Sequence, residues 1–99
     1  MNNPIQALNK LFDSRVRLGI MSALMVNSHV NFNSLKELLD ITDGNLASHL
    51  KALEEHQIIK VEKGFIGKKT NTTYTLTKLG EKQFKAHIAA LEAMIKATK

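Results

Sequence analysis

Ninety-nine residues suffice for one domain, and a 43% apolar content gives it enough material for a core, so the chain does not read as disordered. A formal net charge of +5 favours an anionic partner. The absence of cysteine removes disulfides, thiolate metal sites and thiol redox sensing, and no run approaches the ~18 apolar residues of a membrane span. Met1-Asn2-Asn3-Pro4-Ile5 lacks a charged start followed by an apolar run, so no signal peptide is expected and a cytoplasmic location is the default. Neither repeats nor a low-complexity linker divide the chain, and a single domain over residues 1–99 is expected.

The only proline, Pro4, stands just before the first expected helix. Ile5, Leu8, Leu11 and Phe12 recur at helical spacing. Asp13-Ser14 can cap or bend the chain, and Arg15 to Val26 continues it, so helix 1 is read over residues 5–27. Its second part is apolar on nearly every side (Val16, Leu18, Ile20, Met21, Ala23, Leu24, Met25, Val26), which predicts burial on more than one side. Asn27-Ser28-His29 ends it, and Val30-Asn31-Phe32 can supply a short third strand. Ser34-Leu35-Lys36-Glu37 matches the capping-box pattern, so a short second helix is read over residues 34–39, starting at Ser34 or at Asn33.

Thr42 is the expected cap of a third helix over residues 42–57, with Ile41 and Leu46 at hydrophobic-staple spacing. At ~100° per residue, Leu46, Leu50 and Leu53 fall in one narrow sector and face the core. Gly44, Asn45, Ser48, Lys51 and Ala52 lie on the far side, with Ala47 and His49 on the flanks. That outer face is small and polar, where solvated helices usually carry long charged side chains. Two strands follow, over residues 58–63 and 72–76, joined by a hairpin with Gly64, Gly67, Lys68 and Lys69. Thr77 can cap a last helix over residues 78–98. On it Phe84, Ile88, Leu91 and Ile95 form a large apolar stripe, opposed by a stripe of Ala86, Ala90, Ala93 and Ala97. Two apolar faces on a terminal helix exceed what one protomer can cover, so Phe84, Ile88, Leu91 and Ile95 are expected to form a homodimer interface.

Helix, turn, helix and a basic hairpin form the layout of a winged helix-turn-helix, mainly α with a small β-wing between long N- and C-terminal helices. The segment over 34–57 is the helix-turn-helix, and 58–76 the wing. In that layout the third helix enters the major groove of double-stranded DNA. Asn45, Ser48 and Lys51 are then candidates for base-edge contacts, since Asn can pair with adenine, Ser with several bases and Lys with guanine or a phosphate. Lys68 and Lys69 at the wing tip suit phosphates or the minor groove. Ser34 and Thr42, at helix starts, can approach phosphates through free backbone N–H groups, and Gly44 is counted with the DNA-facing side of the third helix. Each has a plainer reading as a solvated face, a soluble turn or a helix cap.

Several residue sets are read as inert. His49 reads as a half-buried packing residue, and His29, His56 and His87 are too scattered for a metal site. Asp43, Ser48 and His49 lie along one helix and do not converge on a reacting atom, so no enzyme, metal or cofactor is expected. Phe12, Phe32, Phe65, Phe84 and Tyr74 fall mostly where packing claims them, which argues against RNA binding by base stacking. A second class stays open: a winged helix serving as a protein-interaction module without sequence-specific DNA binding.

The chain resembles winged-helix transcriptional regulators of the MarR and ArsR type, and most closely their compact single-domain group. The resemblance rests on Ser14-Arg15-Val16-Arg17-Leu18 with Ile20, on Phe32-Asn33-Ser34-Leu35, and on the run from Asp43 to Glu55. It continues through Lys63-Gly64-Phe65-Ile66-Gly67-Lys68-Lys69, Tyr74-Thr75-Leu76-Thr77-Lys78-Leu79-Gly80 and residues 84–91, and spans about residues 8–96. It implies a homodimer that binds operator DNA and usually represses transcription. The metal-sensing branches use cysteine ligands, which this chain lacks, and a small-molecule effector is left open.

Overall fold

The computed structural model describes residues 4–97. Two 3₁₀ turns, Pro4–Ala7 and Lys10–Phe12, open the chain. Then come α1 (Arg15–Val26), β1 (Val30–Asn31), α2 (Phe32–Leu39), α3 (Asp43–Glu55), β2 (Ile59–Ile66), β3 (Lys69–Leu76) and α4 (Lys78–Ala97). The strands form one antiparallel sheet in the order β1-β3-β2, with Val30 opposite Tyr74 and Ile59 opposite Leu76. This is the expected architecture, mainly helical with a small wing; the third strand is present but ends at Asn31, because Phe32 opens α2. Among the described residues no helix is long and apolar enough to cross a membrane. Thr98, where the last helix was expected to end, lies outside the described residues, as do residues 1–3.

The core gathers one stripe from each element. Phe12 meets Phe84 edge-on at 5.3 Å between ring centroids. Ile20, Met21 and Leu24 of α1, Leu35 of α2, Leu46, Leu50 and Leu53 of α3, and Ile58, Ile59 and Tyr74 beside and within the sheet complete the cluster. Fully burying such side chains is worth ~1.5–3 kcal/mol each, so the three leucines fix which face α3 turns outward.

Helix 1 is shorter than the periodicity of residues 5–12 suggests. The Asn9 side chain accepts the Leu11 N–H at 2.9 Å, and its own backbone N–H donates to His87 Nδ1 at 3.0 Å. Asn9 Nδ2 also donates to Gln83 Oε1. Side-chain bonds of this kind compete with helical ones, and the segment folds as two 3₁₀ turns against α4. Ser14 then caps α1, accepting the Arg17 N–H at 3.2 Å. The all-round burial expected of α1 holds only in part: Ile20, Met21, Ala23 and Leu24 are buried, but Val26 is exposed.

Two other boundaries move. α2 starts at Phe32 rather than at Ser34 or Asn33, because Asn31 Oδ1 accepts the Ser34 N–H at 2.8 Å and is the cap. α3 stops at Glu55, and Gln57 takes a left-handed φ of 61° that lets the chain turn into Ile58. Thr77 closes the junction with α4: its hydroxyl reaches the Gln57 carbonyl at 2.7 Å and accepts the Gly80 N–H at 2.9 Å. A Cβ on Gly80 would overlap the Ile58 carbonyl oxygen, so this close helix–strand approach requires glycine.

Candidate nucleic-acid interface

α3 is held at both ends and along its inner face. Thr42 Oγ1 accepts the Asn45 N–H at 3.2 Å, and Ile41 packs against the cluster that contains Leu46. Lys36 of α2 pairs with Asp43 in the first turn of α3 at 2.7 Å, joining the two helices across a bend in which Asp40 adopts φ 50°. On the inner flank, Arg17 Nε–H donates to His49 Nδ1 at 3.0 Å, and Arg17 Nη1 reaches the Leu11 carbonyl at 3.2 Å. Partial burial, and secondarily the Arg17 charge, hold the His49 pKa below its ordinary value. Both effects favour the neutral imidazole, whose Nδ1 accepts from Arg17 and braces α3 against α1. The sequence placed His49 as half-buried packing, but the arginine that braces it was not foreseen. A polar pair 32 positions apart leaves no local signature.

Outward from this frame, Thr42, Gly44, Asn45, Ser48 and Lys51 are all exposed, as expected. Ala52, expected beside them, is half-buried. A methyl group built on Gly44 would meet no atom within 4 Å, so the protein's own packing does not require the glycine. The Thr42 cap takes only the Asn45 N–H, leaving the first-turn amides of Asp43 and Gly44 pointing toward the free end of the helix. Ser34 is different. It is exposed, but it lies inside the first turn of α2 and its N–H is taken by Asn31, so a phosphate contact from Ser34 would have to use its hydroxyl.

The wing is longer than its sequence suggested. β2 and β3 stay paired from Ile59–Leu76 out to Ile66–Lys69, and the turn is Gly67-Lys68 alone. Gly67 supplies the positive φ, +64°, that a two-residue hairpin needs at its first central position. Lys68 therefore sits in the turn, while Lys69 is the first residue of β3 rather than part of the loop. Both are exposed. Phe65, expected in packing, is instead 75% exposed, because only the inner ends of the strands meet the helices.

Lys63 is a further candidate that sequence reasoning missed. With Val61, Thr72 and Tyr74 it lines a cleft whose other wall is Ala47, Leu50, Lys51 and Glu54 of α3. Lys51 and Lys63 thus flank the gap between helix and wing. Strand periodicity could have found it, since Lys63 follows Ile59 and Val61 on the face turned toward α3. The acidic groups of α3 (Asp43, Glu54, Glu55) leave the wing as the more strongly basic surface: residues 63–75 hold three lysines and no Asp or Glu.

Away from this surface, the four residues expected to form a dimer interface divide. Phe84 belongs to the protomer core, Ile88 and Leu91 are 37% and 36% exposed, and Ile95 is 74% exposed. Ala90 is buried, so the expected alanine stripe is not a continuous outer face. Among the described residues no three His, Asp or Glu side chains gather as metal ligands.

A family model for winged helix DNA-binding domains matches residues 16–95. The chain is similar to an uncharacterized protein of Methanocaldococcus jannaschii, 40% identical over 79 residues that cover 80% of this chain and 86% of the relative. A solved transcriptional regulator homologue protein from Pyrococcus horikoshii superposes with a TM-score of 0.82 at 31% identity, covering 90% of this chain and 88% of that one. A candidate regulator of the MarR family from Enterococcus faecalis, 23% identical, shares the fold with a TM-score of 0.71 over 91% of this chain and 86% of its own. With the family model covering residues 16–95 and the fold shared with these neighbours, the chain belongs to the winged-helix DNA-binding domain family.

Proposed function

We propose that the protein binds double-stranded operator DNA in a sequence-specific manner, as a homodimer, and represses transcription by occupying its site. The observation that carries this reading is the pairing of two surfaces across one cleft. On one side stands the exposed small polar face of α3, with Gly44, Asn45, Ser48 and Lys51; on the other stands a wing with three lysines and no carboxylate from residue 63 to 75. A helix with short side chains can enter the major groove closely, and the wing then meets the backbone of the adjoining groove. In this reading the first-turn amides of α3 and the side chains of Thr42, Lys51 and Lys63 hold phosphates. Asn45 and Ser48 read base edges.

Dimerisation is supported by the apolar surface that the protomer leaves open. Ile88 and Leu91 are partly exposed, and Phe84 forms the floor of a groove walled by Met25 and Ile88. In the proposed dimer α1 and α4 pack about a two-fold axis, and two recognition helices meet half-sites about one DNA turn, ~34–36 Å, apart.

The test is duplex binding as a function of salt. Each neutralised phosphate contributes ~0.9 to the log–log slope, and replacing Lys68 and Lys69 with Ala should flatten it by up to ~2 while weakening specific and random duplexes alike. Ser48→Ala and Asn45→Ala should instead relax sequence preference, by ~1–3 kcal/mol per lost contact. No salt-dependent binding to any duplex would favour the protein-interaction module.

A further inference from the structure

The wing carries a feature that phosphate binding does not use. Phe65 and Ile66, next to the turn, are 75% and 67% exposed, and β2 is exposed from Glu62 to its end. Strand pairing alone would be served by polar β-formers, as the facing strand shows with Thr70, Thr72 and Thr73. A large aromatic at the end of a hairpin is an association liability unless something covers it.

The register says which way each residue faces. Phe65 pairs with Thr70 and lies on the same side as Ile59, Val61 and Lys63, the side packed over α3; Ile66 pairs with Lys69 on the opposite side. Phe65 therefore stands on the side of the wing that faces the recognition helix, beyond the cleft lined by Lys51 and Lys63. The surrounding charge selects the occupant: Lys63, Lys68 and Lys69 flank Phe65 and Ile66, with no acidic residue until past residue 75. An apolar tip whose flanking charges are three lysines, with Glu62 and Glu54 set back toward the base of the wing, fits a polyanion with apolar walls better than an ordinary protein surface of mixed charge.

We propose that Phe65 is a minor-groove wedge. Resting on the DNA-binding reading above, the ring packs against the deoxyribose walls at the outer edge of each half-site and partly unstacks one base step, while Lys68 and Lys69 hold the flanking phosphates. The wedge makes no hydrogen bond to a base, yet it confers preference. Pyrimidine–purine steps unstack readily and stiff A-tracts resist, so flanks with TA or CA steps bind better than A-tract flanks.

The chain contains no tryptophan, so Phe65→Trp places a single reporter at the tip. The probe is the duplex that the wild-type protein enriches from a random pool, prepared with either TA-containing or A-tract flanks. Circular dichroism melts of Phe65→Trp and Phe65→Ala should match the wild type, because the position is exposed. The expected result is that Trp emission is quenched on the TA-flanked duplex. Phe65→Ala should bind that duplex ~10-fold or more weakly, as expected for loss of a buried aromatic, with the salt slope unchanged and the flank preference gone. Wild-type affinity in Phe65→Ala together with unmoved Trp emission overturns the wedge and leaves DNA binding standing. Loss of wild-type self-association in free Phe65→Ala would assign the ring to a contact between copies and also overturn it. A pool that enriches nothing removes the DNA-binding reading and the wedge with it.

Discussion

Gly44 separates what the fold needs from what a partner needs. It is exposed in the first turn of α3, and a Cβ there would touch nothing. Alanine is a better helix residue than glycine by ~0.5–1 kcal/mol, so Gly44→Ala should raise the thermal midpoint. On the proposed interface the same methyl group stands between α3 and DNA, so affinity for duplex should fall. A more stable variant with undiminished affinity would place Gly44 outside the contact. His49 offers the complementary test from the inner flank. Its folded pKa lies below the ordinary 6.5, chiefly through burial and then through Arg17. The unfolded state therefore takes up the proton first as pH falls. This contribution to stability is complete above pH 6.5 and is lost as pH drops from there through the lower folded value. Melts of the wild type between pH 8 and pH 5 should show that loss, and His49→Gln, which keeps an acceptor for Arg17 but cannot titrate, should show less of it.

At the scale of elements, α3 was legible because cap, staple and leucine spacing all agree, and such agreement leaves a helix one way to face. The wing was legible as a hairpin but not in its length. Its outer half is neither buried nor alternating, so Gly64, Phe65 and Thr70 carry no pattern to mark them as strand, and backbone pairing extends it regardless. The N-terminal turns were misread because Ile5, Leu8, Leu11 and Phe12 suit a helix equally well. The bonds from Asn9 to Gln83 and His87 that decide otherwise join residues over 70 positions apart. Gly80 appeared within a recognised motif without a reason, and the close approach of α4 to Ile58 supplies it. Gly80→Ala should force that packing apart and cost about 1–3 kcal/mol, read as a lower denaturation midpoint. An unchanged midpoint would mean that α4 shifts freely on the sheet.

For the whole molecule, the α3–wing surface could be read from sequence because it is built from one contiguous segment, whereas the division of the α4 stripe between core and surface could not. Phe84 and Ile88 share a helical stripe, but the Phe12 ring draws Phe84 into the protomer's own core and leaves Ile88 partly outside. Leu91→Glu puts a charge on the partly exposed part of that stripe. It should yield monomers by sedimentation at micromolar concentration, and weaken binding to a full site far more than to a half-site, since linking two weak sites is what raises affinity. A wild type already monomeric and bound at full strength to one half-site would remove the dimer and leave the α3–wing surface as the reader.

The central claim, sequence-specific reading of duplex DNA by α3 and the wing of a two-fold dimer, is tested most directly by selection of the purified protein on a pool of random duplex. The expected result is enrichment of a pseudo-palindrome whose half-sites are centred ~10–10.5 base pairs apart, and loss of that sequence preference in Asn45→Ala and Ser48→Ala. Recovery of a pool indistinguishable from its input, or of a motif unchanged in both variants, would contradict it.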